Sequence, residues 1–244
     1  MLWPLAFIVV FIGSFIQGVL GYGVALFSAP LLFLINPAWV PVPLIIIGGF
    51  LPLLVFWSHR SFLVKRDLLF AYPGSFLGVL LAALLVGWLS PVGWQLLFSL
   101  MILFAVALSL VGLAFQPKPT VIFSGSFGAG LMGTLTGVGG PPLGLAYQKA
   151  APDRVRASLS AIFMATSFFS LVALSFAGRV QVSDWLLASS LFPAVVLGFM
   201  LSRIWGQRVS AKVFRYLTLG LATLAAGYTL VSGLLTLVSQ GVVW

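Results

Sequence analysis

The sequence predicts an all-α polytopic membrane protein made of two inverted homologous halves. Each half is expected to hold a broken Gly-rich pair of half-helices plus three transmembrane helices. Three observations carry this: the composition, a repeat at an offset of about 120 residues, and an uneven distribution of Lys and Arg among the loops.

Of the 244 residues, 61% are hydrophobic and 6% are charged. Soluble domains run nearer ~45–50% apolar and ~25% charged. Several apolar runs reach or approach the ~20 residues that a helix needs to cross a bilayer. The first residues, MLWPLAFIVVFIGSF, lack the basic stretch of a signal peptide, so a secreted product is not expected. Cys is absent, which excludes disulfides and thiolate metal or redox sites. The net charge is +9, from twelve Lys and Arg against three acids. These cations stand singly or in pairs, so no nucleic-acid face is expected. Most read as cytoplasmic-loop anchors of the positive-inside kind, and some as attractants for an anion at a pore mouth.

The repeat sets the order of elements. LSPVGWQ (89–95) aligns with VSAKVFR (209–215), and Pro73 and Gly78 align with Pro193 and Gly198. Gly21-Tyr22-Gly23 corresponds to Gly137-Val138-Gly139. The halves are residues 1–116 and 121–244, joined by a polar, Pro-rich linker at 117–120. Each opens on a Gly-rich apolar segment, 5–35 and 122–148. Such a segment is too long for one straight span and too short for two, so it reads as two short half-helices meeting at a break, either a re-entrant hairpin or a discontinuous pair. Three ordinary spans follow in each half: 41–58, 68–88 and 94–114, then 157–177, 184–204 and 213–238. Trp3, Trp39, Trp57, Trp88, Trp94, Trp185, Trp205 and Trp244 fall near span ends as interfacial belts.

Equivalent loops carry opposite charge bias. HRSFLVKRD (59–67) is basic in the first half, whereas KAAPDRVR (149–156) and RIWGQRVSAKVFR (203–215) are basic in the second. Under the positive-inside rule the halves then face opposite ways, and both termini lie on the outer side. Four spans per half would leave the halves parallel and the charge flip unexplained.

Inverted repeats with interrupted helices are the architecture of secondary transporters. A break frees backbone N–H groups and turns helix N-termini toward a cavity, where they favour anions. TGVGGPP (136–142) reads as a break followed by a Pro-marked helix start. LGYGVALFSAP (20–30) is its partner. The candidate substrate-binding residues are Gln17, Gly21, Tyr22, Gly23, Ser28, Thr134, Thr136, Gly137, Gly139, Gly140 and Arg156. Residues 134–142, richer in Gly and Pro, are expected to dominate. Gly13, Gly18, Gly128 and Gly133 read instead as packing glycines.

The paired segments GVLGYGVALFSAPLL and GTLTGVGGPPLGLAY, with four segments per half, resemble the TauE/SafE sulfite exporter family along essentially the whole chain. The resemblance implies movement of sulfite-like anions, organosulfonates or carboxylates across the bacterial inner membrane. Val24 and Ala25 stand where members of that family often carry further glycines.

Gln17 reads as a ligand contact or an inter-helix hydrogen bond, and Arg156 as an anion attractant or an interfacial anchor. Thr166 and Ser167 sit mid-span, where hydroxyls also bond back to their own helix. His59 and Gln148 read as residues of span ends. Asp67, Asp153 and Asp184 lie near span ends too, which argues against a carboxylate proton relay. An outward step of one negative charge gains ~2.3 kcal/mol per 100 mV of inside-negative potential. No activated nucleophile is recognisable, so an enzyme is not expected, nor a metal or other cofactor. The partners expected are a small anion and membrane lipid, with self-association left open. A non-transporting scaffold is the rival from another class.

Overall fold

The computed structural model describes residues 2–111, 115–208 and 210–239, and every regular element among them is helical. Trp244 lies outside the described residues. The helices are α1 (Trp3–Leu20), α2 (Val24–Ile35), α3 (Val42–His59), α4 (Lys65–Val86) and α5 (Pro91–Leu110), then α6 (Pro119–Thr136), α7 (Gly140–Ala146), α8 (Pro152–Phe176), α9 (Val182–Ser190), α10 (Phe192–Trp205) and α11 (Ala211–Ser239). Seven described helical stretches are long and apolar enough to cross a membrane: 3–20, 37–62, 65–86, 91–110, 152–176, 182–205 and 212–239. The protein is an integral membrane protein.

Local sequence explains most boundaries. Proline opens or nearly opens many helices, where its missing N–H costs nothing. α6 begins at Pro119, so the last two linker residues already belong to a helix. The span expected at 184–204 is interrupted at Leu191, two residues before Pro193. A proline inside a helix removes one backbone hydrogen bond and crowds the preceding turn.

Both Gly-rich segments fold as hairpins. Gly13 of α1 lies against Val24 and Ser28 of α2, and Gly125 and Gly128 of α6 lie against Ala146 and Pro142 of α7. The arms differ from the expected pair of short half-helices. α1 and α6 have 18 residues each, about 27 Å at 1.5 Å per residue. Only the returning arms are short, with 12 residues in α2 and 7 in α7. Each break therefore caps a nearly full-length arm.

Contacts fix the direction of each helix. Trp3 Nε1 donates to Ser190 Oγ at 3.0 Å, and Gly18 abuts Ser202, so α1 runs parallel to α9 and α10. Gly74 abuts Phe123 and Gly78 abuts Phe127, so α4 runs parallel to α6. α3 and α8 are antiparallel, with Gly48 facing Ser167 and His59 near Asp153. α5 and α11 are antiparallel too: Gln95 reaches Ser232 and Arg215 reaches the Ser109 carbonyl. Two seams need glycine for close approach. A Cβ on Gly198 would overlap the Phe11 carbonyl oxygen, and one on Gly78 would overlap that of Phe127. Such approach of backbones is how small residues hold membrane helices together.

These directions bring the 60–64, 147–151 and 206–208 connections and Lys118 to one end of the molecule. All of the twelve Lys and Arg lie at that end except Arg179. Asp67 is buried there as well. Its carboxylate accepts from Arg154 Nη2 at 2.9 and 3.1 Å and from the Tyr147 hydroxyl at 3.1 Å, tying α4 to the start of α8. Burial, reinforced by the Asp67 carboxylate, pushes the Tyr147 hydroxyl up, so it stays a donor.

Candidate anion site between the two helix breaks

At the first break, Gly21 has φ 86° and Gly23 φ 129°, a region L-residues with a Cβ rarely occupy. The Gly21 N–H donates to Gln17 O at 2.7 Å and closes α1. Gln17 Oε1 then accepts the Val24 N–H at 3.2 Å and opens α2. The Phe27 N–H already bonds back to Gly23 O. The Ala25 and Leu26 N–H groups are thus left without helical partners, as in any first turn.

The second break is built differently. Gly137 has φ 80°, and its N–H donates to Gly133 O at 2.8 Å. Thr136 Oγ1 accepts the Val138 N–H at 3.1 Å and donates to Met132 O at 2.7 Å. Pro141 and Pro142 carry no N–H, so α7 offers only the amides of Gly139 and Gly140 at its start. A Cβ on Gly139 would come within 2.7 Å of the Ala129 carbonyl oxygen.

Both breaks open on one cavity of about 50 Å³. A single water needs roughly 10–15 Å³ measured this way, so the space suits one small ion or a few waters. Gln17, Gly23, Val24, Ala25 and Leu26 line it from the first hairpin, and Gly133, Gly137, Gly139 and Gly140 from the second. Ile45 and Gly48 of α3 and Phe163, Thr166, Ser167 and Ser170 of α8 complete the wall. Among the described residues the lining contains no charged side chain. Gln17 Nε2 and Ser167 Oγ make no hydrogen bond among the described residues. With the Ala25 and Leu26 amides, the wall offers donors and no fixed charge. No group of three or more His, Cys, Asp or Glu able to hold a metal occurs among the described residues.

Gln17, Gly23, Gly137, Gly139 and Gly140 therefore meet at one place. The other candidates lie elsewhere. Ser28 bonds the Val9 carbonyl behind the cavity at 3.3 Å. Thr134 Oγ1 bonds Gly130 O and Ser170 Oγ, both at 2.7 Å, so it supports the wall from behind. Thr136 caps its own break. Gly21 lies against the Arg156 side chain. The Tyr22 ring covers Gly140 and Gly144 at 3.2–3.3 Å from the position of a Cβ. Arg156 faces a second space of about 320 Å³ at the basic end, which Tyr22 also lines. Gly13, Gly18 and Gly128 pack against neighbours as expected, and Gly133 both lines the cavity and faces the Gly139 backbone, 3.6 Å from where a Cβ would stand. Gly48 and Ser170 were not foreseen as wall residues, and Thr166 and Ser167, left open as mid-span hydroxyls, both line the wall.

Fold and site together define a polytopic helical membrane protein whose two hairpins close on a neutral, donor-lined cavity. The chain matches the model of the sulfite exporter TauE/SafE family over residues 5–229 and belongs to that family. Membership places it among membrane transport proteins. No curated protein and no solved structure matches it.

Proposed function

We propose that the protein carries a small sulfur oxyanion of the sulfite type across the bacterial inner membrane, by alternating access around the central cavity. The observation that carries this reading is the convergence of both breaks on one small, uncharged, donor-lined space. Free N–H and O–H donors favour an anion, and the missing fixed charge keeps binding weak enough for release.

Inverted halves support the mechanism. The elements of residues 1–116 alternate in direction, and their counterparts in 117–244 alternate in the opposite sense, with α3 antiparallel to α8 and α5 to α11. The positive-inside rule puts the basic end in the cytoplasm. On that side the 320 Å³ vestibule leads to Tyr22, whose ring stands between it and Gly140. On the other side, Val42 and Leu174 lie one helical turn beyond Ile45 and Ser170. They line a space of about 350 Å³ that also holds Arg179. Substrate therefore passes from vestibule to cavity to outer space as the two constrictions open in turn.

No lining group of the central cavity titrates near neutral pH, so nothing there cancels the substrate's charge. Efflux of sulfite from loaded proteoliposomes is expected to accelerate under an imposed potential that is negative on the loaded side. Efflux indifferent to the potential overturns the electrogenic mechanism. Transport of small carboxylates in place of sulfite overturns the substrate class. Absence of any flux, with the protein properly inserted, favours a scaffold.

A further inference from the structure

We infer that the vestibule holds a second anion site, centred on Arg215, that loads the central cavity from the basic side. The inference rests on the transport reading above and adds a site to it. Arg215 is the fifth residue of α11 and lines the vestibule together with Tyr22, Tyr147, Gln148 and Arg156. Its guanidinium has no acidic partner within salt-bridge distance among the described residues. One nitrogen, Nη2, donates to the Ser109 carbonyl. The Nε is buried and has no hydrogen-bond partner.

A second observation points the same way. Thr218, one turn further along α11, also carries a buried hydroxyl without a partner. Arg215 and Thr218 both border a crevice of about 10 Å³ against Tyr22 and Gly23. That is room for roughly one oxygen-sized group. Two buried polar groups without partners beside one atom-sized space are costly unless something fills it. A small oxyanion supplies what is missing: one oxygen for Nε and Thr218 Oγ1, and negative charge for a forked guanidinium. Arg156 adds charge more weakly, because Asp153 stands 3.6 Å away and its Nη2 already donates to Val19 O at 3.3 Å.

The site is one-sided. The aligned stretches LSPVGWQ and VSAKVFR put Gln95 where Arg215 stands. Gln95 is neutral, and its Nε2 donates to Thr229 O at 2.9 Å and Ser232 Oγ at 3.0 Å. The counterpart position thus carries a satisfied amide. On the opposite side Arg179 lines the outer space, with Nη2 donating to the Val86 carbonyl at 3.2 Å, and only the basic side sets a buried, unpartnered guanidinium nitrogen beside an unpartnered hydroxyl at an atom-sized crevice.

The test is sulfite flux in vesicles of known orientation, with Arg215→Gln compared against the wild type. The KM for sulfite offered from the basic side is expected to rise about tenfold, and that for sulfite offered from the opposite side to stay within about twofold. Arg215→Lys keeps the charge without the fork and should fall between. Raising the salt concentration should raise the basic-side KM in the wild type and much less in Arg215→Gln. A KM unchanged from both sides, or raised equally from both, overturns the inference. If Arg215→Gln does not insert, Thr218→Val and Arg215→Lys carry the same sided comparison. If the wild type moves no sulfite, the transport reading fails separately. The sulfite-induced thermal shift of purified protein then decides for the vestibule: its loss in Arg215→Gln, with a reduced shift in Arg215→Lys, supports the site, and an undiminished shift in both or its absence in the wild type overturns it.

Discussion

The two helix breaks look alike in sequence and work by different means. The break at Gly21–Gly23 is held by a side chain, Gln17, that spans from α1 to the first amide of α2. It opens a 12-residue helix with two unclaimed amides on the cavity. The break at Gly137–Gly140 is held by Thr136, spends two of its first positions on proline, and opens a helix of only 7 residues. Richness in Gly and Pro signals how sharply the chain turns. Each break leaves two amides on offer, Ala25 and Leu26 at the first and Gly139 and Gly140 at the second, and the second adds a proline-stiffened wedge.

Four substitutions break or sharpen that contrast. The largest effect is expected from Gly139→Val, since its Cβ has no room against the Ala129 carbonyl. It should push α7 off α6 and cut sulfite flux more than about tenfold, while the protein still inserts, as judged by yield and gel filtration. Normal flux in this variant would remove the wedge role. Gln17→Ala comes next. It removes a cap acceptor and a free amide, and should weaken sulfite binding about tenfold, ~1.4 kcal/mol, in a titration of purified protein. Ser167→Ala takes one unpartnered hydroxyl from the shared wall and should weaken binding about threefold; unaltered affinity would take Ser167 out of the site. Smallest in binding is Thr136→Ala, with affinity within about twofold of wild type. Its cost of about 1 kcal/mol should appear in thermal stability instead. A Thr136 effect on affinity as large as that of Gln17 would erase the distinction between the breaks.

Much of this was legible in the chain. The apolar runs marked the spans to within a few residues, and the Gly-x-Gly pairs marked the turns because Gly21, Gly23 and Gly137 sit at φ of 80–129°, where only glycine sits easily, while Gly139 is needed for close approach to Ala129. The rotational phase of polar residues was not legible. Thr166 and Ser167 are neighbours in one helix, yet Thr166 bonds back to Ile162 O at 2.7 Å and Ser167 bonds nothing described. Sequence adjacency does not say which hydroxyl faces open space. Thr134 and Thr136 show the same limit, since both sit beside the break and both turn to carbonyls of their own helix. Arg215 was hidden for another reason. In a basic stretch at a span start it looks like any interfacial anchor; what sets it apart is a buried, unpartnered Nε on a guanidinium with no acidic partner among the described residues, whereas Arg154, whose Nε is also unpartnered, is paired to Asp67.

The glycine seams make the two parts of the chain depend on each other. The hairpin arm α1 is seated on α10, and α6 is seated on α4, each through a glycine pressed to a carbonyl. Residues 1–116 made alone would present Gly78 with no Phe127 to receive it, and Phe11 with no Gly198. Each hairpin arm is therefore gripped by a helix from the other part of the chain, and neither part holds that packing on its own.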